Sequence, residues 1–343
     1  MRHLLNTLFV LTEDSYLSLE GENVVVQRGE ELLGRFPLHT LQGILYFGYK
    51  GASPALMGAC AQSGISLCFL TPSGRFLART CGAVQGNVLL RKKQYAVSED
   101  AAESCRIARS MIAGKLTNAR WVLERATRDH GLRVDAERLK TASGALADAA
   151  RLALAAEQED LLRGIEGEAA NRYFDVFDEL ILQEKEAFFF HGRSRRPPLD
   201  NMNALLSFAY ALLANDCAAA LEAVGLDPYV GVLHGDRPGR TSLALDLMEE
   251  LRPCFADRFA LTCVNTRLLR PQHFEKTESG AVRMTDDGRK AFLTAYQEKK
   301  REQITHPFLN EKLPWGLVPY VQALLLARYL RGDLDGYPPF FWK

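Results

Sequence analysis

The sequence predicts an α+β fold, in which an N-terminal β-sandwich-like domain is followed by a larger all-α domain. The first ~90 positions contain short runs rich in Val, Phe, Tyr and Leu, bounded by Gly, Asp, Asn or Pro. From about residue 99, apolar residues recur at helical spacing among many Ala, Leu, Glu and Arg. A chain of 343 residues is long enough for about two domains, each with its own core. We place the boundary near residues 92–98, which gives domains 1–92 and 93–343.

The N-terminal strands are short and closely spaced, which is typical of a small sandwich-like sheet domain. One segment of helical composition, PALMGACAQSG, lies between two of them. The last two strands predict a hairpin that turns at Pro72, Ser73 and Gly74. The predicted strands, in chain order, are LFVL, YLSLEG, NVVVQ, GRFPL, GILYF, SLCFL and GRFLART.

Helical periodicity dominates the rest of the chain, and prolines separate several of its segments. The tail GDLDGYPPFFWK is aromatic and rich in proline. It is either a strap that packs its rings on the helical body or a docking segment for a partner chain. The predicted helices cover residues 99–129, 135–156, 158–188, 203–224, 241–251, 287–304 and 315–331.

Composition restricts the location of the protein more than its chemistry. Lys plus Arg equals Asp plus Glu at 42 each, which argues only weakly against nucleic-acid binding, since an average conceals a local basic stripe. The seven cysteines include no Cys-x-x-Cys pair, which disfavours a disulfide framework and a thiolate zinc site and favours the reducing cytoplasm. No unbroken apolar run reaches the roughly 18 residues of a membrane span, so no membrane association is expected.

Three segments carry candidate site residues, and the first is LLRGIEGEAANRYF. On a helix, Glu166, Ala170 and Tyr173 share one face. Small residues surround Glu166 and would let another backbone or a DNA strand approach its carboxylate. Taken alone, Glu166 is more simply explained as a solvated or salt-bridged glutamate.

The second segment, RSRRPPLDNMNALLSFAYALL, places a polar stripe on an apolar helix. Such a stripe either faces a site or makes structural hydrogen bonds. The basic cluster before it is most simply a solvated loop. The stripe consists of Asn203, Ser207 and Tyr210, and the cluster of Arg193, Arg195 and Arg196.

The third segment, GVLHGDRPGRTSLALDLMEELRP, holds His234 in a Gly/Pro-rich turn before a leucine-striped helix. Thr241 or Ser242 can cap that helix. Asp246 and Glu249 are three residues apart, and two like charges at this spacing repel unless a cation lies between them. A lone histidine here would more simply be a core residue.

Together the three segments offer one imidazole and two or three carboxylates. Hard divalent ions such as Mg²⁺ and Mn²⁺ prefer oxygen ligands, and manganese tolerates one imidazole, whereas catalytic zinc sites use more histidines. Arginines flank the same motifs, and their planar guanidinium groups suit phosphate. Carboxylates for an ion beside arginines for an anion favour phosphodiester chemistry. The flanking arginines are Arg163, Arg172, Arg237 and Arg240.

Taken in order, the three motifs resemble those of the universal CRISPR-associated endonuclease/integrase family, the larger protein of the spacer-acquisition complex. The resemblance covers nearly the whole chain. It implies an N-terminal β-sandwich domain that forms a homodimer, and a helical catalytic domain. It also implies a heterohexamer, in which two dimers clamp a dimer of a small ferredoxin-like CRISPR adaptation partner.

The resemblance further implies a metal site made of Glu166, His234 and Glu249, with Mg²⁺ or Mn²⁺ as cofactor and Asp246 as a catalytic helper. The implied activity joins short pieces of double-stranded DNA into a CRISPR repeat array by transesterification, or cleaves DNA if water attacks. We expect the DNA to be bound by Arg163, Tyr173, Asn203, Ser207, Tyr210, Arg237 and Arg240.

Two other functions use the same residues. A metal-dependent phosphohydrolase of small phosphate esters would share the ligands but needs a closed pocket. A non-catalytic DNA-binding scaffold would merely pair the acids with the neighbouring arginines.

Overall fold

The computed structural model describes residues 6–12, 14–72, 76–82 and 88–342. Its N-terminal part contains the predicted short strands and the predicted helix between the fifth and sixth of them. The elements are β1 (Thr7–Val10), β2 (Tyr16–Glu20), β3 (Asn23–Arg28), β4 (Glu31–Pro37), β5 (Gly43–Phe47), α1 (Pro54–Ser63), β6 (Ser66–Leu70) and β7 (Phe76–Arg79).

The strands form two sheets. One has the order β1-β5-β6-β7, with β1, β5 and β6 parallel and β7 antiparallel to β6. The other is the antiparallel sheet β2-β3-β4. Both sheets and α1 contribute to one apolar core, which includes Leu17, Ile44, Tyr46 and Leu56. The β6–β7 pairing confirms the predicted hairpin, while Ser73 and Gly74 of its turn lie outside the described residues.

Helix α1 shows why the chain leaves the sheet between β5 and β6. The Ser53 hydroxyl accepts a hydrogen bond from the Leu56 N–H at 3.2 Å, and Pro54 occupies the first helical turn, where it costs no hydrogen bond. Gly64 ends the helix with a φ of 67°, a left-handed conformation that glycine adopts without strain. This crossover makes the β5–β6 pair parallel.

The rest of the described chain is mainly helical, which confirms an α+β fold with N-terminal strands and a larger helical C-terminal part. A π-helical turn, Arg252–Asp257, joins two of the helices. The helices are α2 (Val88–Glu99), α3 (Ala101–His130), α4 (Ala136–Ala155), α5 (Glu159–Asp175), α6 (Asn201–Ala223), α7 (Ser242–Glu249), α8 (Arg258–Asn265), α9 (Asp286–Arg301) and α10 (Val318–Leu330). The predicted domain boundary at residue 92 falls inside α2.

The expectation of a purely α-helical second domain is wrong. Two hairpins interrupt it: β8 (Phe274–Lys276) pairs with β9 (Val282–Met284), and β10 (Gln303–Thr305) pairs with β11 (Lys312–Pro314). Three-residue strands are too short to show the apolar alternation that predicts a strand.

The predicted helix over residues 158–188 is also too long, because α5 ends at Asp175. A 3₁₀ turn and irregular backbone follow it and bury Phe177, Phe188 and Phe190 in the core. These rings gave the sequence its apolar character without requiring a helix.

Helix α6 is long and apolar enough to cross a membrane by length and composition alone, with a mean hydropathy of 1.5. However, 61% of that window is buried inside the protein. Leu205, Leu206 and Leu213 are almost fully buried against neighbouring helices, so α6 is the core helix of the C-terminal part. A continuous apolar run was not visible in the sequence because polar residues interrupt it.

The C-terminal tail is a strap, as one of the two sequence interpretations predicted. Tyr337, Phe340 and Trp342 are all at least nine-tenths buried. Two guanidinium groups contact the ring of Trp342, with Arg125 at 4.1 Å and Arg258 at 4.7 Å from its centroid. Burial and cation–π contacts together fix the tail on the helical body.

Candidate active site

Helices α3, α5 and α7 bring three charged side chains together. The Lys115 ammonium contacts Glu166 Oε1 directly and lies 2.8 Å from Glu249 Oε2. The side chains of Lys115 and Glu249 are 10% and 4% exposed, and that of Glu166 is 27% exposed. Two carboxylates from distant parts of the sequence therefore meet at one cation, with Glu166 on the open side.

Arg252 completes the surroundings of Glu249. Its Nη2 lies 2.8 Å from Glu249 Oε1. Burial alone would raise the pKa of this carboxyl, but Arg252 and Lys115 lower the pKa to about 2. Oε2 is buried and, among the described residues, has the Lys115 charge beside it but no hydrogen bond of acceptable geometry. Glu249 is thus an ionised carboxylate whose Oε2 can bind a cation, a position that the Lys115 ammonium takes in this structure.

His234 is held by Asp246, which lies on α7 and is completely buried. Asp246 Oδ2 accepts hydrogen bonds from the N–H groups of Val232 (2.7 Å) and Leu233 (3.1 Å), and Oδ1 accepts one from the His234 N–H at 3.0 Å. Oδ1 also lies 2.5 Å from His234 Nδ1. Since Nδ1 is engaged, Nε2 is the ring nitrogen left for another ligand.

The turn that carries His234 depends on close packing at Gly231. A Cβ atom at this position would lie 2.5 Å from the His234 carbonyl oxygen and 2.9 Å from Asp246 Oδ2. Gln94 on α2 holds the segment that leads into the turn. Its side chain donates to the carbonyl oxygen of Asp227 at 2.7 Å and accepts from the Asp227 N–H at 2.9 Å. The turn is therefore fixed by the Gln94 hydrogen bonds at Asp227 and by the close packing at Gly231.

The predicted arginines lie around the same turn. Arg163 donates to the Leu233 carbonyl oxygen at 2.6 Å, and Arg240 donates to the Ser242 hydroxyl at 3.2 Å and to the Gly235 carbonyl oxygen. Ser242 does not cap α7 with its side chain, and neither does Thr241. Arg237 is exposed, as is Arg172 on α5. Arg163 and Arg240 thus support the His234 turn through its backbone.

The polar stripe of α6 makes structural hydrogen bonds, which was one of its two interpretations. Asn203 is completely buried, donates to the Gly192 carbonyl oxygen at 2.8 Å and accepts from Arg193 Nη1 at 2.7 Å. The Ser207 hydroxyl accepts from Arg193 Nη2 at 3.1 Å. Arg193 is therefore anchored on α6, whereas Arg195 and Arg196 are exposed.

A second polar layer lies behind Glu249. Tyr210 donates to Asp257 Oδ1 at 2.5 Å, and the guanidinium groups of Arg193 and Arg252 lie 5.2 and 5.1 Å from the centroid of its ring. Burial raises the pKa of Asp257 to about 6, although Tyr210 and Arg252 oppose the increase. Tyr173 is buried beside this layer. Arg252 consequently links Glu249 to the stripe of α6.

The expected metal ligands are not assembled into one group. Among the residues that the structure describes, no three His, Cys, Asp or Glu side chains are arranged to hold a metal ion. Lys115 occupies the space between Glu166 and Glu249 instead. The donors nevertheless suit a hard divalent ion, since they include two carboxylates at a shared cation, a buried oxygen without a hydrogen bond, and the Nε2 of His234.

Sequence reasoning missed Lys115, Arg252 and Asp257. Lys115 did leave a signal, because it is a lone lysine in the apolar helical run MIAGKLTNA. A lysine at a core position needs a buried counter-charge. Arg252 and Asp257 are the first and last residues of the π-helical turn. That turn contains Pro253, before which the sequence interpretation ended a helix.

A cavity of about 570 Å³ lies elsewhere, between strands β5 and β6 and the C-terminal end of α6. Cys68, Asn215 and Glu222 line it, and Glu166, His234 and Glu249 do not. The candidate site is therefore separate from this cavity.

Solved structures establish the class of fold. A casposase bound to its integration product matches with a TM-score of 0.83 at 21% identity, over 99% of this chain and 95% of that chain. A Cas1 protein from Thermotoga maritima matches with a TM-score of 0.81 at 23% identity, over 97% and 99%. A chain of a Cas6-RT-Cas1–Cas2 complex gives 0.82 at 21% identity, over 100% of this chain and 36% of that chain. The fold is that of the Cas1 and casposase structures.

Sequence relatives then identify the family. A protein of Chlorobaculum tepidum named CRISPR-associated endonuclease Cas1 1 is 51% identical over 343 residues, the whole of both chains. CRISPR-associated endonuclease Cas1 2 of Rhodospirillum rubrum is 53% identical over 347 residues, again the whole of both. The family model of CRISPR associated protein Cas1 matches residues 8–298. The chain belongs to the Cas1 family, and it is an enzyme of the endonuclease/integrase class.

Proposed function

We propose that this enzyme joins short pieces of double-stranded DNA into a CRISPR repeat array, using a divalent ion at Glu166, His234 and Glu249. The observation that carries the proposal is the meeting of Glu166 and Glu249 at one cation, beside a histidine whose Nε2 is left for a ligand. Bound Mg²⁺ or Mn²⁺ would polarise a phosphodiester and stabilise the charge that develops on its oxygens.

The protein's own groups prepare this site. Asp246 fixes the ring of His234 through Nδ1 and the turn through three backbone N–H groups, so it acts as a positioning residue. Arg252 holds Oε1 of Glu249 and leaves Oε2 toward the shared cation. Both carboxylates would bind an ion in the ionised form, which for Glu249 is favoured down to about pH 2.

Exposed arginines would hold the DNA. Arg237 projects from the His234 turn, and Arg163 and Arg240 contact the turn's backbone with guanidinium groups that remain partly open to solvent. In strand joining, a 3′-hydroxyl attacks the phosphodiester and the 3′ oxygen of the repeat strand leaves. Attack by water at the same phosphorus gives cleavage instead. Structural contacts engage Ser207, Tyr210 and Asn203, and Tyr173 is buried, so these four side chains would act on the DNA end only indirectly.

We further propose an assembly. The N-terminal sheets would form a β-sandwich-like domain that pairs two copies in a homodimer. A structural neighbour is part of a complex that contains Cas2, which supports a small CRISPR adaptation partner for this chain, expected to be ferredoxin-like and to complete a heterohexamer. The seven cysteines are all free thiols, six of them buried, which fits a cytoplasmic protein.

The test is joining of a labelled DNA duplex to supercoiled repeat DNA, with and without Mn²⁺. Replacement of Glu166 by alanine is expected to abolish joining while the variant keeps its fold and its oligomeric state. Glu168→Ala is the matched control, since Glu168 lies on the same helix and its side chain is 73% exposed. Joining by the Glu166→Ala variant at the wild-type rate in Mn²⁺ would contradict the ligand assignment.

A further inference from the structure

Lys115 is a buried lysine whose surroundings are unlike those of a simple surface ion pair. Its ammonium contacts both carboxylates that we assign to the metal, Glu166 and Glu249. Arg252 supplies a second positive charge on the far oxygen of Glu249. Two acidic and two basic groups therefore form a locally neutral set, and one member of that set occupies the space between the two metal-binding carboxylates.

We propose that Lys115 is a built-in counter-cation that competes with the divalent ion for Glu166 and Glu249, so that metal binding requires its ammonium to leave. This inference rests on the proposed metal site. It assigns to Lys115 the role of a positioning residue that sets how tightly the site binds its ion.

The size and charge of the two cations prevent the Lys115 ammonium and a divalent ion from binding the same carboxylate oxygens. Mg²⁺ needs its oxygen ligands at about 2.0–2.1 Å, and Glu249 Oε2 already has the Lys115 ammonium at 2.8 Å. A monovalent and a divalent cation a few ångströms apart inside a protein repel each other strongly. The two cations therefore cannot share the same pair of oxygens at full occupancy.

The surroundings of Lys115 also allow its side chain to move away from the two carboxylates. Its four-carbon stem is flexible, whereas the guanidinium of Arg252 is a rigid fork held beside the ring of Tyr210. Glu166 forms the open side of the set, with 27% of its side chain exposed. When an ion enters, the lysine moves toward solvent while Arg252 keeps Glu249 in place.

Without metal, Lys115 keeps two close carboxylates neutralised. Glu249 is nearly fully buried, and a buried carboxylate without a partner is strongly destabilising. Lys115 thus stabilises the metal-free enzyme at the expense of metal affinity.

The experiment measures Mn²⁺ binding by calorimetry to the full-length, metal-free protein. We expect Lys115→Gln to bind Mn²⁺ about 5- to 150-fold more tightly than the wild type, the usual range for coupling between two ligands. Lys115→Arg keeps the charge and should not bind more tightly. Lys140→Gln is the matched control, because Lys140 is an exposed lysine on the neighbouring helix α4, and it should leave the affinity unchanged.

The outcomes separate the two proposals. Wild-type binding with equal or weaker binding by Lys115→Gln overturns the competition and leaves the metal site standing. If neither protein binds Mn²⁺, the metal site itself is wrong and the competition falls with it. Thermal melting adds a readout without metal, since Lys115→Gln should melt at a lower temperature in EDTA and gain more from Mn²⁺ than the wild type.

A measurement on the unaltered protein covers the case in which Lys115→Gln does not fold. In protein carrying ¹⁵N-labelled lysine, the buried Lys115 ammonium should give an exchange-protected NMR signal without metal. Titration with diamagnetic Mg²⁺ should shift that signal or remove its protection. A signal that stays unchanged through saturation with Mg²⁺ would overturn the proposal.

Discussion

Glu249 and Glu250 are consecutive, and both are buried, yet their carboxyl groups have opposite character. Two cations hold Glu249 as a carboxylate with a pKa of about 2. Burial raises the pKa of Glu250 to about 8, and the groups that oppose this increase are neutral hydrogen-bond donors on the C-terminal strap and on α10. The end of α7 therefore carries one charged group toward the site and one largely protonated group toward the strap.

Glu250 is where the strap is attached to the active-site helix. Its oxygens accept hydrogen bonds from the Tyr337 hydroxyl, from the Phe340 N–H at 2.5 Å and from the Gln322 side chain at 3.1 Å. Asn118, one turn beyond Lys115 on α3, donates to the carbonyl oxygens of Glu250 and Phe340, each at 2.7 Å. The strap thus ties together the helices that supply Lys115 and Glu249.

The first prediction concerns pH. Between pH 4.5 and about pH 8 an unfolded Glu250 is ionised while the folded one holds its proton, so the native state binds more protons there. The free energy of unfolding should fall as pH rises through this window, by up to about 4 kcal/mol from this group. Glu250→Gln has no proton to lose and should show a flatter dependence.

Chemical denaturation at several pH values between 5 and 8.5 would measure this difference. Glu168→Gln, an exposed substitution, should follow the wild type throughout. Asp257, with a pKa raised to about 6, contributes a slope of the same sign to both proteins, so the comparison isolates Glu250. Parallel curves for wild type and Glu250→Gln would show that Glu250 is ionised in the native state.

The second prediction compares two glycines of the His234 turn. Gly231→Ala places a Cβ 2.5 Å from the His234 carbonyl oxygen, so the turn must shift. We expect a loss of about 1–3 kcal/mol in the free energy of unfolding, as is usual for overpacking. Gly235→Ala meets no atom within 4 Å and should be nearly neutral. Equal effects in denaturant titrations would contradict the packing argument.

Only part of the site could be predicted from the sequence. The family resemblance implied Glu166, His234 and Glu249 as one set, and the structure brings the two glutamates of that set to one cation. The sequence could not predict the role of Asp246. The three N–H groups that donate to its carboxylate belong to a turn that has no regular pattern. Periodicity describes elements, whereas a turn is defined by its tertiary contacts.

The same limit explains the errors in the fold. The segment after Asp175 is as rich in apolar residues as a helix, but its aromatic side chains enter the core from irregular backbone. The three-residue strands of the C-terminal part carry no alternation that could be read. Lys115 shows the converse, since a charged residue in an apolar run indicates a buried partner without indicating which one.

The third prediction concerns Asp246. An asparagine at this position has a single acceptor oxygen and presents an amide N–H₂ in place of the other, so it cannot keep three backbone bonds and the His234 Nδ1 contact. We expect Mn²⁺ affinity to fall about 10- to 100-fold, as for other residues that orient a metal-binding histidine. Asp148→Asn is the control, because the Asp148 side chain on α4 is 65% exposed. Calorimetry that gives wild-type affinity for Asp246→Asn would exclude this positioning role.

The last prediction tests whether the strap supports the site. Phe340 is completely buried and packs on Trp315 with a centroid distance of 5.6 Å, while its N–H binds Glu250. Phe340→Ala should cost about 3–5 kcal/mol, the usual range for removing a buried phenylalanine ring. Phe308→Ala removes a ring that is 50% exposed and should cost far less. Because the strap holds the helices that carry Lys115 and Glu249, Phe340→Ala should also increase amide hydrogen exchange at the end of α7. Loss of stability with unchanged exchange there would mean that the strap stabilises the protein without organising its site.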